Sequence, residues 1–220
     1  MGDILFLAHR VPFPPDRGDK IRAHHLLKKL AALAPVHVGC LAESAEDRAA
    51  IAEVTAISKS HCVPNRSKPL ALAGAEAVLS GKPVSLTAFH SNKLESWVRE
   101  TIASFDVDTI VVFSGQMGQY VPDDFDGRVI IDLCDVDSAK FESYAADGDR
   151  VWINAREGRL LRLEEERLSE RADATILISE SEANLFRSRL TAADDANIQF
   201  VGNGIDAAYF DPEKVEAHKA

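Results

Sequence analysis

The stretch "DLCDVDSAK" sets Asp132, Asp135 and Asp137 within six residues and follows them with Lys140. Carboxylates this close repel one another, so hydrogen bonds, a cation or a bound substrate must offset them. No second ligand cluster accompanies the run, and no metal site is expected. Asp132 belongs to the end of a strand, and Asp137 is placed to cap a helix beginning near Ser138. Asp135 is left as the acid without a structural task, which makes it the candidate catalytic group.

Three more junctions carry chemistry-bearing residues. In "RVPFPPDRGDKIRAHHLLKKL", residues 10–30, three prolines stiffen a loop that ends in Arg17, Gly18 and Asp19. Gly18 lets a ligand approach the backbone amides, Asp19 is a natural N-cap, and a helix start of this kind holds phosphate. An ordinary capped turn is the plainer alternative. In "SGQMGQYV", Ser114 and Gly115 leave room, and Gln116 offers hydrogen bonds to a sugar hydroxyl. In "VGNGIDAAYFDP", Asn203-Gly204 is a turn pair behind a strand, followed by Tyr209, Phe210 and Pro212. A basic run, Lys20, Arg22, Lys28 and Lys29 with His24 and His25, is either a solvated face or an attraction for anionic lipid or a phosphorylated acceptor.

The elements that must position these residues are legible as short apolar runs. Strands are predicted at 3–8, 35–41, 60–63, 108–113, 128–133, 173–178 and 197–201, without the polar alternation of half-exposed strands. Helices are predicted at 19–33, 46–57, 90–104, 150–171 and 180–190, with Leu160, Leu161, Leu163 and Leu168 as the core stripe of the long one. Within 65–89, the Ala/Leu run predicts a short helix before an extended "KPVSL" link. This alternation implies an α/β fold: a doubly wound, mainly parallel, Rossmann-like sheet with the first strand central. In such sheets ligands gather beyond the carboxyl ends of the strands, where all four junctions fall.

Composition narrows the class. The net charge of -10, from 25 basic and 35 acidic residues, argues against a nucleic-acid partner. Cys40, Cys62 and Cys134 have no zinc-type spacing and suit reduced thiols of a cytoplasmic protein. Neither a signal peptide nor a membrane span is visible. A G-x-G-x-x-G after the first strand and a G-x-S-x-G are both lacking, and the remaining histidines show no hydrolase triad.

Taken in order, "PFPPDRGDKIRAHHLLKKLA", "SGKPVSL", "VVFSGQMGQYV", "IDLCDVDSAKFESYA", "REGRLLRLEEERLSERADATILISESEANLF" and "NGIDAAYF" resemble successive blocks of family 4 glycosyltransferases of the GT-B fold. The resemblance is to the bacterial sugar transferases associated with exopolysaccharide and PEP-CTERM systems, and it covers roughly residues 3–212. It implies that 1–212 is the acceptor-side N-terminal domain, that 213–220 begins a linker or tail, and that the donor-binding domain is absent from this chain. Transfer from a nucleotide-sugar donor, bound through that missing domain, to a glycan or lipid-linked acceptor would retain anomeric configuration, with no further cofactor. Arg17, Gly18, Asp19, Ser114, Gln116, Asp137, Lys140, Asn203 and Gly204 would line the cleft. Asp135 stands near the position where many relatives place a histidine, and would orient an acceptor hydroxyl or stabilise positive charge developing on the sugar. The resemblance also implies a cytoplasmic protein with peripheral contact to the membrane face, and inactivity of this piece alone. A GT-B nucleotide-sugar epimerase and a non-catalytic Rossmann-like binding module are the alternatives.

Overall fold

The computed structural model describes residues 2–192 and 196–204. The expected apolar runs become seven strands: β1 (Asp3–Ala8), β2 (Val36–Cys40), β3 (Ser60–Cys62), β4 (Val107–Phe113), β5 (Arg128–Cys134), β6 (Ala174–Leu177) and β7 (Ile198–Phe200). They form one sheet in the order β3-β2-β1-β4-β5-β6-β7, and every pairing is parallel. β1 shows why the runs lack alternation. Leu5 and Leu7 enter a core shared with Leu94, Val98 and Leu168, whereas Ile4, Phe6 and Ala8 enter another with Ala23, Leu27 and Val54. Both faces of the sheet are covered, so apolar residues are needed at successive positions.

The helices are α1 (Gly18–Ala31), α2 (Ala45–Ala49), α3 (Ile51–Ile57), α4 (Leu70–Ser80), α5 (Val84–Ala88), α6 (Asn92–Ser104), α7 (Asp137–Ala146), α8 (Val151–Arg171) and α9 (Glu180–Arg189), with a 3₁₀ turn at Gly115–Tyr120. Three expectations need correction. The predicted helix 46–57 is two helices meeting at Ala50. The "KPVSL" link is not extended: it opens α5, whose first amides are capped from far away by Glu157. That carboxylate accepts from Val84 N and Ser85 N at 2.8 Å each and from Ser85 Oγ at 2.7 Å. The buried stripe of α8 is not the predicted leucine set either. Leu161 and Leu168 are buried, but Leu163 is 55% exposed, and Asn154, Glu157, Gly158, Glu165 and Ser169 complete the stripe. Gly158 permits close packing of α7, because a Cβ there would lie 2.9 Å from the Glu142 side chain.

Strand order reverses direction between β1 and β4, so the crevice beyond their carboxyl ends is the topological switch point. Cys40 and Cys62 are buried free thiols, and Cys134 is a half-buried one. Among the described residues, no helix is long and apolar enough to cross a membrane.

Candidate functional site

The chain leaves β1 directly into His9 and Arg10, at the switch point. The His9 ring stacks on Phe113, the last residue of β4, at 5.8 Å and 17°, and meets Phe89 edge-on at 5.9 Å. Its Nε2 lies 3.3 Å from Asp19 Oδ2. Arg10 donates to the same carboxylate oxygen at 2.6 Å and to Glu43 at 3.0 Å. Arg17 Nε donates to Asp19 Oδ1 at 3.0 Å. Arg66 Nε approaches Glu43 Oε1 at 2.6 Å, with angles that miss a hydrogen bond, and its guanidinium lies over Phe89. The hydrogen bond with His9, joined by Arg17 and Arg10, outweighs burial and holds the Asp19 carboxyl far below the usual carboxylate range. Three guanidiniums gather here around Asp19 and Glu43, with Asp16, Lys20 and Asp47 beside them, so donors for an anionic ligand stand among matched charges. His9 Nδ1 is buried and has no partner among the described residues.

Asp19 is therefore not the N-cap residue of α1, contrary to expectation. Arg17 occupies the cap position with extended backbone and without a side-chain cap bond, and Asp19 sits inside the first turn, where its Oδ1 accepts from Lys20 N at 3.0 Å. Two arginines and a histidine share the same carboxylate. Gly18 opens α1, and a Cβ there would meet nothing within 4 Å. Space is thus left in front of the helix start.

Ser114 and Gln116 follow β4. The Ser114 hydroxyl donates to Gln116 Oε1, and Ser114 has φ +76°. Cys134, ending the neighbouring β5, has φ +66°. Two adjacent strands thus finish in left-handed, non-glycine residues on one edge, a conformation that persists only where the surroundings impose it.

Beyond β5, Lys140 Nζ donates to Asp135 at 2.7 Å and to Asp137 at 3.2 Å, so the cation that the acidic run required is supplied locally. Burial works against the charge of Lys140, but these two carboxylates outweigh it and raise its pKa. Asp137 does not cap α7. It is the first helical residue, Val136 holds the cap position, and Glu165 from α8 accepts from Ser138 N at 2.9 Å. Asp132 is at the strand end as expected, and is buried against Arg22, whose Nε donates to it at 2.9 Å.

The basic run is not one surface stripe. Lys20 is buried on Asp47 at 2.7 Å and Arg22 on Asp132, leaving Lys28 and Lys29 exposed. Arg22 also donates to Val201 O at 2.9 Å and Asn203 Oδ1 at 3.1 Å, bringing Asn203 to the side of α1. Gly204 is exposed with no neighbour within 4 Å of an added Cβ, and Tyr209, Phe210, Pro212 and 213–220 lie outside the described residues.

The structure thus joins Arg17 and Asp19 with His9, Ser114 with Gln116, and Asp135 and Asp137 with Lys140. It does not bring the Asp135 group into contact with Asp19, since the Arg22–Asp132 pair stands on β5 facing α1. His9, Arg10, Glu43 and Arg66 were not singled out from the sequence. "LAHR", two polar residues directly behind the first apolar run, was the available signal for the first two. Among the described residues, no group of three or more His, Cys, Asp or Glu side chains is arranged to hold a metal ion.

No protein-family model matches this chain. No curated protein matches it. Among solved structures it is similar to TcCGT1 in complex with UDP, at 12% identity and a TM-score of 0.53, covering 96% of this chain and 54% of that one. It is also similar to UDP-glucose:anthocyanidin 3-O-glucosyltransferase in complex with UDP, at 10% identity and a TM-score of 0.47, covering 90% and 52%. The chain spans about half the length of each. The likeness to the first establishes the architecture: an all-parallel, Rossmann-like α/β layer structure of the kind that forms one half of a GT-B fold.

Proposed function

We propose that this chain is the acceptor-side half of a GT-B glycosyltransferase, which moves a sugar from a nucleotide-sugar to an acceptor hydroxyl at the switch-point edge. The observation that carries this reading is the His9–Asp19 contact beside Arg10 and Arg17. In the tautomer whose Nε2–H faces Asp19, with Arg10 Nη1 also 3.3 Å from Nε2 but donating to Asp19 Oδ2, the imidazole keeps Nδ1 as a base. A small turn of the ring would let it take the acceptor proton, while the acceptor oxygen bonds the anomeric carbon and the diphosphate leaves as an anion. Arg17 and the remaining free amides at the start of α1 offer positive potential for that leaving group. Asp135 and Lys140 supply polar contacts for sugar hydroxyls on the β5 side. A lipid-linked or polysaccharide acceptor in exopolysaccharide synthesis, and a donor held by a second Rossmann-like domain, follow from the family resemblance.

The test is a transfer assay of the intact protein with a panel of nucleotide-sugars. Asp19→Asn should lower turnover by about 10²–10⁴-fold, the scale of positioned acid–base groups, with little change in donor affinity. Near-normal turnover would remove the pair from the chemistry. A second reading concerns stereochemistry. The resemblance implies retention, whereas a histidine base favours single displacement with inversion, and the anomeric proton coupling of the product separates the two.

A further inference from the structure

A cavity of about 420 Å³ opens on the β2–β3 side of the switch-point edge, and Asn65, Arg66, Ser67, Lys68, Leu72 and His90 line it. The backbone at its entrance is fixed. Beyond the ends of β2 and β3 the parallel pairing continues as a bridge between Ala42 and Asn65, and Arg66 N donates to Ala42 O at 2.8 Å. Arg66 turns Nε toward Glu43, at 2.6 Å, and its guanidinium lies over Phe89, 4.6 Å from the ring centre. No hydrogen bond among the described residues uses its two terminal nitrogens. Lys68, by contrast, is engaged: Nζ donates to Glu76 at 2.7 Å and to Thr87 O at 2.9 Å. Glu43 is held from its other side by Arg10 at 3.0 Å. Among the described residues of this cavity, one guanidinium edge is thus left to receive an anion.

We infer that this cavity seats an acidic sugar of the acceptor, with its carboxylate on the terminal nitrogens of Arg66. That the ligand is an acceptor sugar rests on the transferase reading, whereas the carboxylate contact rests on Arg66. A guanidinium presents its N–H groups in one plane, the geometry that a carboxylate accepts in two parallel bonds. A phosphate dianion fits less well, because it calls for a second free cation and Lys68 is already bound to Glu76. The rest of the lining suits a pyranose. The Asn65 amide and the Ser67 hydroxyl make no hydrogen bond among the described residues and are open to sugar hydroxyls. Leu72, 57% exposed, offers apolar surface to the ring C–H groups. His90 is held in place, its ring parallel to Tyr120 and its Nε2 2.8 Å from Asn92 Oδ1. Phe89 joins the cavity to the site: Arg66 covers its face, and His9 meets it edge-on at 5.9 Å. One aromatic ring therefore separates the cavity from the imidazole, and an acceptor seated there has the proposed base within reach.

Methyl β-D-glucuronide, methyl β-D-glucoside and glucose 6-phosphate, titrated separately into the 220-residue chain and followed by ¹⁵N–¹H correlation spectra, test this. The glucuronide should shift the amides of 65–68 and 90–91. It should bind about tenfold more tightly than the glucoside, the scale of a hydrogen bond to a charged group. Arg66→Gln should abolish that preference, and Arg66→Lys, which keeps the charge without the planar fork, should keep only part of it. Glu43 retains Arg10 in both variants, so the melting temperature should not move. Equal affinity for glucuronide and glucoside, tighter binding of the phosphate, or a spectrum that none of the three changes overturns the inference. A preference that survives Arg66→Gln does so too. In the intact protein, Arg66→Gln should raise KM for a glucuronate-ended acceptor about tenfold with kcat retained. Glucuronide binding without any sugar transfer would uphold the site and overturn the transferase reading. Transfer to neutral acceptors without glucuronide binding would do the reverse.

Discussion

Replacing Arg22 by Met should be among the most damaging single changes on α1, although its position in a basic run suggests a harmless surface residue. The Asp132 and Arg22 side chains are 4% and 10% exposed, and two guanidinium nitrogens reach the same carboxylate oxygen at 2.9 Å. Removing the cation leaves a carboxylate buried at a strand end, with Cys134 N, at 3.1 Å, and the weakly donating Cys134 thiol, at 3.4 Å, as its remaining donors among the described residues. Breaking a buried pair in this way costs about 3–5 kcal/mol, a large share of the roughly 5–15 kcal/mol available to a domain. For a chain of this size that corresponds to a fall in Tm of about 6–20 °C. The assay is urea unfolding at pH 7 followed by far-UV circular dichroism, for Arg22→Met, Asp132→Asn and the double variant. The double variant should lose markedly less than the sum of the singles, since it no longer strands a charge. A single-variant loss under about 1 kcal/mol, the scale of an exposed ion pair, would refute the reasoning.

Two further outcomes follow from the site's surroundings. Burial raises the Glu165 carboxyl to about 7 against the hydrogen bonds from Ser138. Because the folded value lies above the unfolded one, its contribution to stability is greatest below pH 4.5 and is lost as pH rises through about 7, by up to about 3 kcal/mol. Glu165→Gln should therefore gain on the wild type between those pH values in urea titrations, and a pH-independent gap would contradict this. Asp135 is 39% exposed and paired with Lys140, so Asp135→Asn should leave the unfolding midpoint almost unchanged. If the proposed transfer holds, its rate in the intact protein should fall about a hundredfold through the lost charged contact, and a normal rate with an unchanged midpoint would remove Asp135 from the site.

What could be read from the sequence was whatever depends on near neighbours or on burial of both sheet faces. "DILFLA" and "TIVVF" are strands because helices cover each side, and an apolar run records that directly. The resemblance to family 4 enzymes drew on block order, which neither the sheet nor its register can test. Several of the failures share one cause: a polar side chain satisfied by a partner from another element. Lys20 finds Asp47 and Arg22 finds Asp132, so half of an apparent surface stripe turns inward. Asp19 and Asp137 are well placed to cap their helices, yet Asp19 is shared between Lys20 N, His9 and two arginines, and Lys140 holds Asp137 from within its own turn while Glu165 serves the helix. Glu157 likewise starts α5 from 73 residues away. Local spacing carries no trace of such pairs. His9 itself was hidden because its partner lies across a proline loop, although the fold's switch point marks the position once strand order is known.

The central claim is that function gathers at the carboxyl edge of the sheet around His9, Arg10 and Asp19. The most direct measurement is a ¹⁵N–¹H correlation spectrum of this chain titrated with pyrophosphate, the group that Arg17 and the start of α1 are proposed to face, to about millimolar concentration, where even a contact of about 4 kcal/mol registers. The account predicts fast-exchange shifts clustered at residues 9–19, 114–118 and 134–140, and their loss in Arg17→Gln. Shifts clustered instead at the opposite edge, near Pro35, Lys59, Asp106 and Gly127, or a spectrum unchanged at that concentration, would contradict it.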